Sequence, residues 1–489
     1  MIVMKFGGSS LESGEAIGRV TRIVKSQLTR KPIVVVSAMG KTTDRLVELA
    51  DEAARGHSYF VWKRLKDLQE FHLEEAAKLT SGGAFESLEH SLRKQFSHLC
   101  RVIFETTDEG GEFTAALRDE ILSLGERVSS EIMAAALNSA GVDSLHLDSR
   151  KVILTDDKHT QATPLYWESY ARLRRAIPYR AEHHTVVMGG FIGATAAGAT
   201  TTLGRGGSDL SASIVGAGIS AEEIQIWTDV DGMLSCDPRV FAGGYRVKCL
   251  SYEEAAAMAH AGAKVLHPAT VLPAIRQRIP LAIRNTRRPE SEGTKITSHA
   301  GFCTNPIKSI ACKPDVTVLE LRRPGGVPDL VESLGQLCEN FGVTSELIAQ
   351  SGDAVYLAVK SQDRFDDLQM KLDACVEVRV RTGQCMIALI GDGAQKTSIA
   401  ARVIGALENP DAVVVNDPRS PLAMTILVPQ RDLHQSVEKL HCEFFKHVDS
   451  RVFAESPRIA PDHAEELPLA SESSRVKTLV QRWVLARQN

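Results

Sequence analysis

Several features are scarce or missing in this sequence, and each absence excludes a class of function. Aromatic residues make up 5% of the 489 residues, which argues against a surface that stacks on single-stranded nucleic acid. The formal net charge is -4, so no excess of positive charge points to nucleic acid or to an anionic membrane. No apolar run reaches the roughly 18 to 20 residues of a membrane helix, and the apolar start is too short for a signal peptide. We expect no nucleic acid and no membrane among the partners.

Cysteine is present but follows no functional pattern. The nine cysteines, from Cys100 to Cys442, include no C-x-x-C pair and no Cys/His spacing typical of metal ligands. A disulfide framework is not indicated either. We therefore predict reduced thiols in a cytoplasmic protein, and no metal site built from the protein's own side chains.

The pattern of residues 1–295 predicts an α/β domain. Short runs rich in β-branched residues, such as 2–6, 32–39 and 223–227, alternate with longer amphipathic segments. Buried strands that alternate with helices indicate a mostly parallel central sheet with helices on both faces, which is a three-layer arrangement. The segment from about 51 to 118 is almost entirely helical in pattern, so we interpret it as a helical insertion.

The polar, turn-rich segment 290–305 marks a domain boundary. After it, the order strand, helix, strand, strand, helix occurs twice, which predicts two small sheet-and-helix modules at 306–380 and 381–454. Such modules commonly pair to bind effectors, although similar scaffolds also occur without a ligand. The acidic, Pro- and Ser-rich residues 455–489 predict a disordered tail with a short terminal helix, and a docking element is the alternative.

Two glycines after the first predicted strand suggest an anion site. Lys5 ends the strand, Gly7 and Gly8 let a ligand approach the backbone, and Ser9 offers a hydroxyl before a helix N-terminus. A simple turn would also explain these glycines. The motif alone therefore leaves both interpretations open.

Neither near match to a Walker-type phosphate loop is complete. Val35 replaces the first glycine of one match, and Gln395 replaces the second glycine of the other. A nucleotide, if the protein binds one, needs a different architecture.

Two further segments carry charges that suit a small ligand. Arg205 stands between glycines, and Ser208 and Asp209 follow it at the start of a predicted helix. We expect the arginine to be held inside this cage of glycines, where a guanidinium suits a carboxylate. Glu126 begins an apolar helix, and a helix-dipole contact is a sufficient explanation for it alone.

A loop after a later strand is unusually rich in charge. Asp229, Asp231, Asp237 and Arg239 lie within it, which exceeds what a solvated turn requires. The loop is therefore a candidate part of the same site.

Six motifs occur in an order and at spacings that resemble the aspartate kinases, which belong to the amino acid kinase superfamily. They are KFGGSS, VVVSAMGKTTD, LGERVSS, GGFIGA with TTLGRGGSDLSA, IWTDVDG with DPRV, and AGAKVLHPAT. The resemblance covers residues 1 to about 286, and the repeat after it resembles that family's paired ACT regulatory modules, which are ferredoxin-like βαββαβ units. It implies transfer of the ATP γ-phosphate to the side-chain carboxylate of L-aspartate, the first step toward lysine, threonine and methionine.

The resemblance also implies roles for individual residues. Lys5 and Asp209 are expected to be catalytic, with Lys5 neutralising charge on the transferred phosphoryl group. The expected substrate-binding residues are Thr43, Glu126, Arg205 and Ser208. The expected ATP-binding residues are Lys5, Gly7, Gly8, Ser9, Thr228, Asp229, Asp231, Arg239, Lys264 and Val265. Mg²⁺ is expected to be held mainly through the nucleotide phosphates.

Departures from the family pattern affect the adenosine side and the regulatory half. Leu234 stands where relatives often carry an aromatic residue, and Gly352 stands where many carry glutamate. The resemblance implies Glu346 and Ser351 as regulatory residues, with lysine or threonine as the effector. It also implies a homo-oligomer, because ACT-type modules bury their sheet edges by pairing across chains.

Two alternatives to an aspartate kinase stay open at this point. One is another amino-acid kinase that acts on glutamate or an acylated glutamate, and the other is an inactive homologue that senses an amino acid. The ordered motifs and the paired modules favour aspartate. The presence of Lys5, Glu126, Arg205 and Asp209 argues against an inactive homologue.

Overall fold

The computed structural model describes residues 1–108, 112–263, 268–322, 330–361, 365–416 and 420–454. Within these ranges, none of the helices combines the length and the apolar character needed to span a lipid bilayer.

The N-terminal part is organised around an eight-stranded sheet. The strands of this part are β1 (Ile2–Phe6), β2 (Pro32–Val36), β3 (Ser144–His146), β4 (Thr185–Gly189), β5 (Ile192–Ala194), β6 (Thr200–Thr202), β7 (Glu223–Thr228), β8 (Arg246–Val247), β9 (Cys249–Ser251), β10 (Leu281–Asn285) and β11 (Thr294–Thr297). Three short strands lie outside this sheet: β5 and β6, which form a hairpin, and β8. The sheet order is β3-β4-β2-β1-β7-β10-β11-β9, and only the β10–β11 pair is antiparallel. The predicted mostly parallel sheet is confirmed.

Ten helices among the described residues accompany this sheet. They are α1 (Gly14–Lys25), α2 (Thr42–Ala54), α3 (Ser58–Ala77), α4 (Gly82–Asp108), α5 (Ala115–Ser139), α6 (Tyr166–Ala176), α7 (Pro178–Ala181), α8 (Gly207–Ile219), α9 (Tyr252–His260) and α10 (Pro268–Arg276). Helices α2 to α5 follow one another between β2 and β3, and the helical segment predicted at about 51 to 118 lies within them.

The alternation of side chains along the central strands creates two apolar cores. Ile2, Met4 and Phe6 of β1 pack into the core formed with α1 to α5, whereas Val3 packs into the core on the opposite face with α6 and α8. Successive residues of a strand point to opposite faces, so a continuous apolar run such as β2 is buried on both sides. This explains the three layers.

The C-terminal part forms a second, six-stranded sheet. Its strands and helices are β12 (Ser309–Arg322), α11 (Leu330–Asn340), β13 (Ser345–Ser351), β14 (Ala354–Lys360), α12 (Asp366–Asp373), β15 (Glu377–Ile390), α13 (Thr397–Leu407), β16 (Val413–Val415), β17 (Ala423–Pro429), α14 (Leu433–Phe444) and the short strand β18 (Phe453–Ala454). The sheet order is β13-β14-β12-β15-β17-β16. The predicted fold class, a three-layer α/β domain followed by sheet-and-helix modules, is confirmed.

The long strands β12 and β15 run through both halves of this second sheet, the half that contains β14 and the half that contains β17. Residues 316–322 of β12 pair with 377–384 of β15 beside β14, whereas Ser309–Lys313 pairs with the other end of β15 beside β17. Ser309–Lys313 therefore lies beside the strands of the second module, although it precedes the first module in the chain. The predicted division between residues 380 and 381 falls inside β15, and β18 pairs with β8 of the N-terminal part instead. The module boundaries stay predictions.

A buried ion pair joins the two parts of the chain. Lys308, directly before β12, places its Nζ 2.8 Å from Oε2 of Glu254 on α9, and the two side chains are 4% and 5% exposed. At the other end of α9, a Cβ on Gly262 would lie 2.5 Å from the backbone oxygen of Cys312 on β12. Helix α9 is thus fixed to the C-terminal part at both ends.

Candidate active site

The carboxyl ends of β1, β2, β4, β7 and β10 meet at one edge of the parallel sheet. The loops that leave them contact one another: Gly7 N–H donates to the Trp227 carbonyl at 3.2 Å, Gly40 N–H to the Gly8 carbonyl at 3.0 Å, and Gly190 N–H to the Val36 carbonyl at 2.8 Å. Ligands of open α/β sheets bind at this edge. It is therefore the candidate active site.

Lys5 and Asp209 form an ion pair at this edge, although they lie far apart in the sequence. Lys5 Nζ is 2.7 Å from Asp209 Oδ1, and the side chains are 12% and 17% exposed. That carboxylate oxygen accepts no other hydrogen bond from the residues the structure describes. A largely buried ammonium with one carboxylate partner can still attract a phosphate oxygen.

The glycine loop after β1 is packed against the loop after β2. A short 3₁₀ turn covers Gly8–Leu11, and a Cβ on Gly8 would lie 2.9 Å from the Gly40 carbonyl oxygen and 3.2 Å from that of Ala38. On Gly7, a Cβ would meet Lys5 Nζ only at 3.8 Å. Glycine is thus required at position 8 by the neighbouring backbone, which adds to the ligand-based reason expected from the sequence.

Glu126 is buried without a full set of hydrogen bonds. It lies on α5, its side chain is almost fully buried, and its Oε2 has no partner among the described residues. Burial raises the pKa of its carboxyl from 4.5 to about 8, opposed by a hydrogen bond from the Ala38 backbone and by the charge of Lys5. A cationic ligand group would supply the missing partner.

Two adjacent glycines bring the predicted substrate residues together. A Cβ on Gly189 would lie 2.9 Å from the Glu126 carbonyl oxygen, and a Cβ on Gly190 would lie 2.7 Å from Cβ of Ser208. Glu126 and Ser208 therefore flank the same short turn after β4. Thr43 lies in the first turn of α2, half-buried.

Arg205 is exposed, so the expectation of an arginine enclosed by glycines was wrong. The glycines serve the backbone instead: Gly204 and Gly206 have φ values of 70° and 72°, and a Cβ on Gly206 would lie 2.7 Å from Cγ2 of Thr270. Within the described part of the chain, no side chain forms an ion pair with Arg205. Its guanidinium is free to bind an anion.

Most charged side chains of the loop after β7 contact other protein groups. Thr228 donates from Oγ1 to Asp229 at 3.1 Å, and both residues remain accessible. The carboxylate of the buried Asp231 accepts a hydrogen bond from Asn285 at 2.8 Å and contacts Arg288.

Arg239 donates three hydrogen bonds to the neighbouring Asp237. Internal contacts of this kind shape the loop. They do not exclude nucleotide contacts, so the predicted ATP-binding roles stay predictions.

Some predicted residues cannot be placed in this site. Lys264 and Val265 lie outside the described residues. Glu346 lies on β13 in the C-terminal part, where Lys313 and Lys360 surround its carboxylate at 2.5 Å and 3.8 Å. Ser351 ends the same strand before a turn with Gly352 at φ 61°.

Sequence reasoning missed two buried polar groups beside the site. Thr42, at the start of α2, has a buried hydroxyl that is not hydrogen-bonded to any described residue. Asp119, on α5, is fully buried and accepts several hydrogen bonds. The expectation that Glu126 begins its helix was wrong, because α5 begins at Ala115, and Asp119 was missed for that reason.

The described side chains include no group of three or more His, Cys, Asp or Glu residues that could hold a metal ion. A cation that arrives on nucleotide phosphates fits this donor set, because Mg²⁺ commonly keeps most of its ligands from phosphates and water.

Comparison with known proteins identifies a family and several similar chains. A sequence profile described as "Amino acid kinase family" matches residues 1–285. The lysine-sensitive aspartokinase 3 of Escherichia coli strain K12 is 31% identical over 464 residues, an alignment that covers 91% of this chain and 99% of that protein.

Two crystal structures of E. coli aspartokinase III resemble the whole arrangement. The complex with aspartate and ADP in the R-state superposes with a TM-score of 0.73, and the complex with lysine and aspartate in the T-state with 0.75. Both are 30% identical in sequence and cover 91% of this chain, and this chain spans 100% and 99% of them.

Proposed function

This chain belongs to the amino acid kinase family, and from its similarity to aspartokinases over almost their whole length we infer that it is an aspartate kinase. It transfers the γ-phosphoryl group of ATP to the side-chain carboxylate of L-aspartate and releases 4-phospho-L-aspartate and ADP. This reaction is the first step toward lysine, threonine and methionine.

The observation that carries this inference is a buried carboxyl and an exposed guanidinium at one sheet edge, neither with a full set of protein partners. Oε2 of Glu126 has no hydrogen-bond partner, and Arg205 has no ion-pair partner, among the described residues. Gly189 and Gly190 connect the two regions through Glu126 and Ser208. A ligand with an ammonium and two carboxylates, such as aspartate, satisfies both groups.

The chemistry then needs little from the protein beyond position and charge. A carboxylate oxygen of aspartate is ionised at pH 7 and attacks the γ-phosphorus directly, so no general base is required. A new O–P bond forms, the bond between the γ-phosphorus and the bridging oxygen breaks, and ADP leaves with the electron pair. Lys5 stabilises the charge that spreads over the transferred group.

The glycine loop holds the nucleotide end of the reaction. In this proposal the Gly8 backbone N–H and the Ser9 hydroxyl bind the phosphates, and Thr228 and Asp229 contact the nucleoside. The Gly7 N–H donates to the Trp227 carbonyl, so Gly7 contributes by leaving room for the phosphates to approach the backbone. Mg²⁺ carried by the phosphates neutralises part of their charge when it is bound.

Regulation is proposed from the C-terminal sheet and from the E. coli relative, whose T-state structure contains lysine. Lysine or threonine is the proposed effector, with Glu346 and Ser351 as candidate contacts. We also propose a homo-oligomer that pairs through these modules. The nine free thiols support a reducing, cytoplasmic location.

The first experiment measures ATP-dependent acyl phosphate trapped with hydroxylamine. L-aspartate, L-glutamate and N-acetyl-L-glutamate are compared with and without lysine, threonine or methionine. We expect turnover on aspartate, and Lys5→Met is expected to lower kcat by roughly 100- to 1,000-fold because the phosphoryl charge loses its partner.

Preference for another substrate would replace aspartate by that amino acid in the proposal. The absence of turnover on any of the three, with folded protein, would favour an inactive sensor instead. The matched control is Lys31→Met, which removes a surface lysine whose partner is Glu182. It is expected to leave kcat unchanged.

A further inference from the structure

The buried carboxylate of Asp119 on α5 accepts hydrogen bonds from the loop 156–163, which packs against the turn that carries Arg205. Asp119 is 0% exposed and accepts hydrogen bonds from His159 Nδ1 at 2.8 Å, from the Thr160 backbone N–H at 3.0 Å and from Thr202 Oγ1 at 2.5 Å. These donors come from two segments, the loop 156–163 and the end of β6. One side chain therefore joins both segments to α5.

The two segments together form the support of the Arg205 turn. Thr202 ends β6 shortly before Arg205, and the Ala162 N–H donates to the Thr202 carbonyl at 2.9 Å. A Cβ on Gly204 would lie 3.4 Å from Cγ of Gln161 and 3.5 Å from the Thr160 carbonyl oxygen. The turn that carries Arg205 thus rests on the loop that Asp119 fixes.

The backbone of this loop is strained at the residue that Asp119 binds. Thr160 has a φ of 72°, in the left-handed region that β-branched residues rarely adopt. Such strain persists only where the surrounding contacts determine the conformation. The Thr160 N–H lies 3.1 Å and 3.0 Å from the two oxygens of Asp119, which supplies that determination.

Asp119 is also on the helix that carries Glu126. The two residues are two turns apart on α5 and therefore lie on the same face, separated by about 10 Å along the axis. Glu126 is the proposed site for the substrate ammonium, and Arg205 is the proposed site for a carboxylate. Asp119 consequently ties the two ends of the substrate site to one rigid helix.

We propose that Asp119 is a positioning residue that sets the separation between Arg205 and Glu126, and that it thereby fixes the α-carbon of the substrate, whose α-carboxylate and ammonium these two residues bind. The side-chain carboxylate must then reach the γ-phosphate from a fixed point, which selects the side-chain length of aspartate over one with an extra methylene. This proposal rests on the proposed aspartate kinase function. His159 and Thr202 act through Asp119 and orient the loop and β6.

The test is steady-state kinetics of Asp119→Asn with aspartate and glutamate. An amide NH₂ would replace one of the accepting oxygens and face the N–H donors, so the loop and the Arg205 turn must shift. We expect KM for aspartate to rise on the order of 10- to 100-fold, with a smaller change in kcat, because misplacement affects binding contacts first. The ratio of kcat/KM for aspartate to that for glutamate is expected to fall.

The matched control is Asp143→Asn. Asp143 makes the same kind of contact, with His184 Nδ1 at 2.8 Å from its Oδ1, but on the surface. Its kinetics are expected to match the parent protein. Unchanged KM and unchanged discrimination in a folded Asp119→Asn protein would overturn the proposal.

A milder variant keeps the proposal testable if Asp119→Asn does not fold. His159→Phe removes one of the hydrogen bonds from a ring that is 18% exposed, and a smaller rise in KM for aspartate is expected. No rise in KM would contradict the proposal. Loss of aspartate turnover in the parent protein would instead reject the proposed function, so the two failures are distinct.

Discussion

At the scale of single residues, burial decides which charge the site presents. Glu126 is held in an apolar environment that favours its neutral form, and its pKa is raised to about 8. An ammonium group at this position favours the ionised form, because an opposite charge offsets the cost of burial. Binding of the substrate and ionisation of Glu126 are therefore coupled.

The stability of the ligand-free protein is predicted to depend on Glu126. Unfolded chains release this proton near pH 4.5 and the folded state near 8, so between these values the folded state binds more protons and stability falls as pH rises. Glu126→Gln carries no such titration. We expect the difference in thermal midpoint between the variant and the parent to grow in favour of the variant from pH 5 to pH 8.

Calorimetry of both proteins without ligand at several pH values checks this expectation. Glu48→Gln is the control, since Glu48 forms an exposed ion pair with Arg64. A constant difference between Glu126→Gln and the parent across the pH range would contradict the coupling.

At the scale of elements, the loop after β1 is fixed by its contacts with the loop after β2. The Gly40 N–H donates to the Gly8 carbonyl, and the same two backbones leave no room for a Cβ at position 8. The loops after β1 and β2 are therefore expected to move together.

Gly8→Ala is predicted to impair nucleotide use. The added Cβ would lie 2.9 Å from a backbone oxygen, which no side-chain rotation relieves, so the loop must shift. We expect kcat/KM for ATP to fall by about 100-fold, the effect of a displacement near 1 Å. Gly18→Ala on α1 has no heavy atom within 4 Å and serves as control, with unchanged kinetics and a gain of about 0.5 to 1 kcal/mol in stability. Equal kinetics for both variants would show that the loop adapts.

The sequence allowed most elements of the parallel sheet to be predicted, because β1, β2 and β7 are short β-rich runs between helices with clear apolar spacing. Lys5 and Asp209 were named from the resemblance; they form an ion pair, and their catalytic roles stay predictions. The exposure of Arg205 was not predictable, because it depends on where a turn rests against Thr270 and the loop 156–163.

Contacts between segments that are distant in the sequence could not be predicted from local sequence patterns either. The hydrogen bonds of Asp119 involve partners up to 83 positions away, and periodicity contains no information on such pairs. The two pairings of β12 were missed for the same reason, since a strand pattern does not specify its partner.

At the scale of the whole molecule, α9 connects the N-terminal sheet with the C-terminal one. The Lys308–Glu254 pair and the close contact of Gly262 with Cys312 hold both of its ends. The chain that follows α9 contains the predicted nucleotide-binding Lys264 and Val265. A movement of the C-terminal sheet is therefore expected to shift α9, and with it the start of the segment that follows.

Lys308→Met is predicted to destabilise the protein by about 3 to 5 kcal/mol, since the buried Glu254 carboxyl loses its cationic partner and keeps the hydrogen bond from the Ser251 backbone N–H. Lys31→Met is the matched control, because Lys31 also lies 2.8 Å from a glutamate, Glu182, but both side chains are exposed. Its effect is expected to stay below about 1 kcal/mol. Denaturant titration of both variants measures the difference, and similar losses would mean that burial does not strengthen the pair.

The double use of β12 has a consequence for synthesis on the ribosome. Ser309–Lys313 emerges long before residues 386–390, its partners in β15, have been translated. During that interval the β12 residues Ser309–Lys313 lack their β15 partners, so the backbone edge on that side is unpaired. The module between the two strands can already begin to fold. A translational pause or a premature stop inside β15 would expose this edge and favour aggregation, so the order of the chain makes the regulatory part a late product of synthesis.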